Sequence, residues 1–126
     1  MTSAKILVID DDRDMVALVS GILRSAGFTA IPAFDAMQGI MLAGREQPDL
    51  VLLDMQLPAG GGGLVLDRLG ASMRTQAIPI VVMTASTQKG IDEWVRRKGA
   101  AGFIAKPLDR AALMAAVQQI LAPAHS

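Results

Sequence analysis

A chain of 126 residues with no cysteine is sized for one domain with a single core, and it excludes disulfides, thiolate metal sites and thiol nucleophiles. Its twelve basic side chains are matched by twelve acidic ones, which argues against a domain built to hold nucleic acid by electrostatics. Although 52% of the residues are hydrophobic, no apolar stretch approaches the roughly 20 residues of a spanning helix, and no signal peptide is visible at the start, so a cytoplasmic domain without membrane contact is expected.

Ile6-Leu7-Val8-Ile9 is a continuous apolar run that ends on Asp10-Asp11-Asp12. A helix should follow, capped by Asp12 or Asp14, with Met15, Leu18, Val19, Ile22, Leu23 and Ala26 on its inner face and Gly27 at its stop. Residues 28–33 form a weaker strand carrying Pro32, which places it at a sheet edge because proline cannot donate to a ladder. Asp35 opens a second helix with Met37, Ile40 and Met41 turned inward, and Pro48 closes the connection. Leu50-Val51-Leu52-Leu53 then reads as a strand buried on both faces, and it ends on Asp54.

Gly60-Gly61-Gly62-Gly63 precedes a third helix expected over 64–73. Pro79 introduces a fourth strand, Ile80-Val81-Val82-Met83, ending on Thr84. A fourth helix spans 91–98 before Gly99. The fifth strand, Gly102-Phe103-Ile104-Ala105, ends on Lys106-Pro107, and Asp109 caps a last helix bearing Leu113, Met114, Val117, Ile120 and Leu121. Five alternations of strand and helix with short links predict parallel strands joined by right-handed crossovers.

In a parallel sheet the strand ends share one edge, the edge at which open α/β sheets bind ligands. Asp10, Asp11, Asp54, Thr84 and Lys106 therefore converge. Three carboxylates so close repel by roughly 1 to 4 kcal/mol per pair, and a cation must offset that. A hard divalent ion such as Mg²⁺ suits all-oxygen donors. Metal, lysine and hydroxyl around one carboxylate make a receptacle for a tetrahedral dianion, with Asp54 as a nucleophile taking a phosphoryl group.

Ile6-Leu7-Val8-Ile9-Asp10-Asp11-Asp12, Leu50-Val51-Leu52-Leu53-Asp54-Met55-Gln56-Leu57-Pro58, Val82-Met83-Thr84-Ala85 and Phe103-Ile104-Ala105-Lys106-Pro107, in order and in register, resemble the receiver domain of two-component response regulators, the CheY-like superfamily, over essentially the whole chain. The resemblance implies a flavodoxin-like (βα)5 three-layer sandwich with sheet order 2-1-3-4-5, forming one receiver domain over residues 1–126 with no output domain. It implies that Asp54 accepts phosphate from a histidine kinase or a histidine phosphotransfer protein. Asp11, Asp54 and the Gln56 backbone carbonyl would hold Mg²⁺, or Mn²⁺ in its place, with Asp10 acting through water. Thr84 would bond a phosphoryl oxygen, Lys106 would pair with the phosphate, and Phe103 occupies an aromatic switch position. The Lys106–Pro107 bond would be cis, against a baseline of about 5–6% for such bonds. Signalling would then pass to a downstream protein partner at the face made by helix four, strand five and helix five, with no direct contact to nucleic acid.

The glycine run departs from the family pattern, and reads either as a mobile lid over Asp54 or as a tolerant surface loop that starts a helix. Trp94, spaced with Ile91 and Val95, is either a packing residue or a partner anchor. Gln56 and Ser86 flank the site at positions that tune phosphoryl lifetime in the family, or are plain surface residues. His125, in the tail, is a poor phosphohistidine candidate. A haloacid-dehalogenase-type hydrolase would need an acid where Gln56 stands. A flavin or nucleotide binder would set phosphate against an acidic edge. A phosphate-independent interaction module of receiver-like fold is the remaining alternative.

Overall fold

The computed structural model describes residues 3–85, 89–106 and 108–121. Five strands alternate with five helices: β1 (Lys5–Ile9), α1 (Arg13–Ser25), β2 (Thr29–Ala33), α2 (Ala36–Glu46), β3 (Leu50–Asp54), α3 (Gly61–Ala71), β4 (Ile80–Thr84), α4 (Ile91–Arg97), β5 (Gly102–Ala105) and α5 (Arg110–Leu121). The strands form one parallel sheet in the order β2-β1-β3-β4-β5, the flavodoxin-type arrangement.

Alternation along the strands divides the core into two layers. Leu7, Ile9, Val51, Leu53, Ile80 and Val82 meet Leu42 of α2, Val65 and Leu69 of α3 and Val95 of α4. Ile6, Val8, Leu50, Leu52, Val81, Met83 and Ile104 meet Val19 and Leu23 of α1 and Leu113 and Val117 of α5. β3 and β4 are buried along their whole length, as their unbroken apolar runs require when helices cover both faces.

β2 lies at the edge. Thr29 donates to Ala4 and Ala33 accepts from Asp10 on the β1 side, so alternation turns Ala30 and Pro32 outward. Arg24 Nη2 approaches the Ala30 carbonyl at 3.4 Å, and Gln38 Oε1 accepts the Phe34 N–H at 2.8 Å.

Helix faces differ from the apolar spacing in two places. On α1, Leu18 is 52% exposed, and the buried residues are Val16, Val19, Ser20 and Leu23; Ala26 is exposed as the C-cap. On α2, Met37 and Met41 are exposed and the helix packs through Gly39, Leu42 and Ala43, with Ile40 partly buried against the same layer. Gly39 is the reason: a Cβ there would stand 2.5 Å from Ile9 Cδ1, so the helix approaches the sheet on its smallest residue and the methionines rotate outward.

α3 begins at Gly61, three residues earlier than expected, with Gly60 as its left-handed N-cap (φ 73°). The run thus starts a helix, as one of the two readings had it, but Gly61 and Gly62 lie in a packed first turn rather than in a tolerant loop. Gly61 and Gly62 are buried, and a Cβ on Gly62 would meet the Met55 carbonyl oxygen at 2.6 Å.

Ser20, 3% exposed, has a hydroxyl with no hydrogen-bond partner among the described residues. Ser20→Ala removes that buried polar atom and improves helix propensity. Thermal unfolding should show a gain of about 1 kcal/mol, a rise of about 4 °C in Tm; an unchanged or lower Tm would mean the hydroxyl is satisfied.

Candidate functional site

Asp10, Asp54 and Lys106, from three strand ends, meet at the carboxyl edge, with Thr84 at the end of a fourth strand beside them. Asp10 directly follows β1, Asp54 closes β3, Thr84 closes β4 and Lys106 directly follows β5. Asp10 and Thr84 are fully buried and Asp54 is 3% exposed, whereas Asp11 is exposed. Carboxylate oxygens of Asp10, Asp11 and Asp54 lie within 4.8 Å of one another.

Lys106 Nζ is 3.1 Å from Asp54 Oδ1 and 3.5 Å from Asp10 Oδ2, so one ammonium serves two buried carboxylates. Burial is the strongest influence on Asp10 and drives its carboxyl above the usual range; the Asp12 N–H on Oδ1 (3.0 Å) opposes this, and the charge of Asp54 adds to it. Burial works against the Lys106 ammonium, but the hydrogen bond and charge of Asp54, with the charge of Asp10, outweigh it and raise its pKa. The Asp10 shift is chiefly one of burial, whereas the rise of Lys106 reflects the two carboxylates that share its ammonium.

Three hard oxygen donors converging beside a single ammonium fit a small divalent cation. Asp12, next in line, faces elsewhere: its carboxylate accepts from Asp14 and Met15 N–H and caps α1. Asp109 likewise accepts from the Ala111 N–H at 3.1 Å at the start of α5.

Gln56 contributes more than its position suggested. Its N–H donates to Asp54 Oδ1 at 3.0 Å. Its side chain turns to β4, where Nε2 donates to Thr84 Oγ1 at 2.9 Å and Oε1 accepts the Ala85 N–H at 3.1 Å. No motif signals this bridge, since glutamine is an ordinary exposed residue. Phe103 is half-buried in the same layer as Ile91 and Trp94, and Lys98 Nζ lies 5.7 Å from the Trp94 ring centroid. Pro107, Ser86 and His125 lie outside the described residues, and with them the geometry of the Lys106–Pro107 bond.

Comparison with known proteins places this edge in context. The family model described as "Response regulator receiver domain" matches residues 6–118. Protein PilH of Pseudomonas aeruginosa is 30% identical over 94% of this chain and 98% of its own length. The DNA-binding dual master transcriptional regulator RpaA of Synechocystis is 38% identical over 93% of this chain, which spans only 48% of that protein. Among solved structures, the chemotaxis response regulator CheY4 of Vibrio cholerae superposes with a TM-score of 0.88 at 25% identity, covering 95% of this chain and all of that one. Among the described residues no helix is long and apolar enough to cross a membrane.

Proposed function

Because the chain belongs to the response regulator receiver domain family, we propose that it is a phosphorylation-controlled signalling module whose acceptor is Asp54. The observation that carries this is the buried Asp54 carboxylate held 3.1 Å from Lys106 and beside Asp10 and Asp11. A histidine kinase or histidine phosphotransfer protein is the donor. An Asp54 carboxylate oxygen forms a bond to phosphorus as the bond from phosphorus to the imidazole nitrogen breaks; the imidazole keeps the electron pair and takes a proton from solvent. Attack by water later returns the carboxylate and inorganic phosphate.

Mg²⁺, or Mn²⁺ in its place, supplies positive charge to the oxygens of the transferring group. Asp11, Asp54 and the Gln56 backbone carbonyl hold it, with Asp10 acting through water. Lys106 stays paired with the acceptor and moves its charge onto the phosphoryl oxygens. Thr84 bonds a phosphoryl oxygen, and Phe103 responds to that movement. A downstream protein docks on the face made by α4, β5 and α5, where Trp94 is half-buried. The chain assists its own phosphorylation and dephosphorylation, and has no other catalytic output.

Incubation with Mg²⁺ and acetyl phosphate, read by intact mass, should give one phosphoryl adduct that Asp54→Asn lacks and chelation prevents. A folded wild type that takes no adduct would leave a phosphate-independent interaction module.

A further inference from the structure

We propose that the Gln56 side chain is a latch on the end of β4, holding Thr84 in its unphosphorylated position until a phosphoryl group on Asp54 draws it away. The inference rests on the phosphoacceptor reading of Asp54, and goes on to identify what resists the switch.

The orientation of the Gln56 amide is set by chemistry. The Ala85 N–H can only donate, so the atom facing it at 3.1 Å is the amide oxygen, and the NH₂ group must face Thr84 Oγ1 at 2.9 Å. Both ends of one side chain are therefore engaged by consecutive residues at the close of β4. Its own N–H is engaged by Asp54 at 3.0 Å. Gln56 thus ties the acceptor's carboxylate to the neighbouring strand end.

Strand alternation places Thr84 out of phase with the rest of the site. Asp10, Asp54 and Lys106 continue the faces of Val8, Leu52 and Ile104, which look toward α1 and α5. Thr84 continues the face of Val82, which looks toward α2, α3 and α4. For its hydroxyl to meet a group carried by Asp54, the end of β4 must move toward the α1–α5 side, away from the Gln56 amide. Thr84 is fully buried, so water does not stand in for the lost Gln56 bond, and an approaching phosphoryl oxygen offsets it. Met55, Gln56, Ile91 and Trp94 line one cavity of about 590 Å³, so the only tryptophan in the chain reports on this corner.

Gln56→Met keeps the chain length and removes both amide bonds at an exposed position. In the unphosphorylated protein, the Ala85 amide should exchange with solvent about tenfold faster, and Trp94 emission should move toward that of phosphorylated wild type. Beryllofluoride, a phosphoryl mimic, should bind the Mg²⁺-loaded variant about tenfold more tightly, since the two Gln56 amide bonds no longer have to be broken. In a Thr84→Val background that gain should contract to about threefold or less, because the Thr84 bond is already absent. If wild type binds the mimic and Gln56→Met binds it equally or more weakly, the latch is overturned and the phosphoacceptor reading stands. If wild type binds no mimic and takes no phosphoryl adduct, both are overturned together.

Discussion

Lys106→Met should lower the stability of the metal-free protein by about 3 kcal/mol at neutral pH, the low end of the range for orphaned buried charge. The low end applies because the lysine side chain keeps 18% of its surface exposed, so water partly takes its place. The cost should depend on pH. Asp10 is raised by its burial and then by Asp54. A carboxyl raised on folding binds its proton more tightly in the folded state, so its ionised form subtracts stability above the folded pKa, and that loss disappears as pH falls through it. Without the ammonium the penalty grows, so variant and wild type should converge toward acid. Lys106 has the other sign. Its raised pKa gives stability that is complete below the ordinary lysine range and is lost as pH rises through the folded value, so the two should also converge in alkali. Mg²⁺ should narrow the neutral-pH gap by bringing charge to the same oxygens. Urea unfolding across the pH range, with and without Mg²⁺, measures all of this; a gap indifferent to both would refute the electrostatic account.

Gly62→Ala and Gly63→Ala, adjacent and chemically identical changes, should move stability in opposite directions. A Cβ on Gly62 meets backbone of Met55, the carbonyl oxygen at 2.6 Å and Cα at 2.9 Å, and backbone cannot rotate aside as a side chain can. Overpacking of that kind costs about 2 kcal/mol or more. It also displaces the loop that presents the Gln56 N–H to Asp54, so phosphoryl adduct formation should slow together with the loss of stability. Gly63 has nothing within 4 Å of an added Cβ, so alanine there should stabilise the helix by about 0.5–1 kcal/mol through propensity alone. Denaturant midpoints for the two variants decide the matter: a Gly62→Ala protein as stable as wild type would mean that α3 does not press on the acceptor loop.

The sheet order followed from the family resemblance, and Lys106 from its place after a short, partly buried strand; Asp10 and Asp54 were legible in the sequence because each ends a run buried on both faces. A run of that kind can only be a strand in a covered parallel sheet, and its last residue must emerge at the site edge. The helix faces were harder to read. Leu18, Met37 and Met41 satisfy helical spacing as well as the truly buried residues do, and on α2 it is the approach of Gly39 to Ile9 that decides which stripe points inward. The tetraglycine run was visible, but its purpose depends on how close α3 sits to Met55, a distance no local pattern encodes. The Gln56 bridge joins residues 28 apart in sequence, and a glutamine able to reach its partner looks the same in the sequence as one that points to water.

The outer margin of β2 has a consequence for behaviour at high concentration. An incoming strand from another molecule needs a row of unanswered donors and acceptors to pair with. Along this margin Pro32 has no hydrogen to offer, the Ala30 carbonyl is approached by Arg24 and the Phe34 N–H is already given to Gln38. Three successive outward positions are unfit for ladder formation, so this side of the molecule resists fibre growth and strand-swapped association.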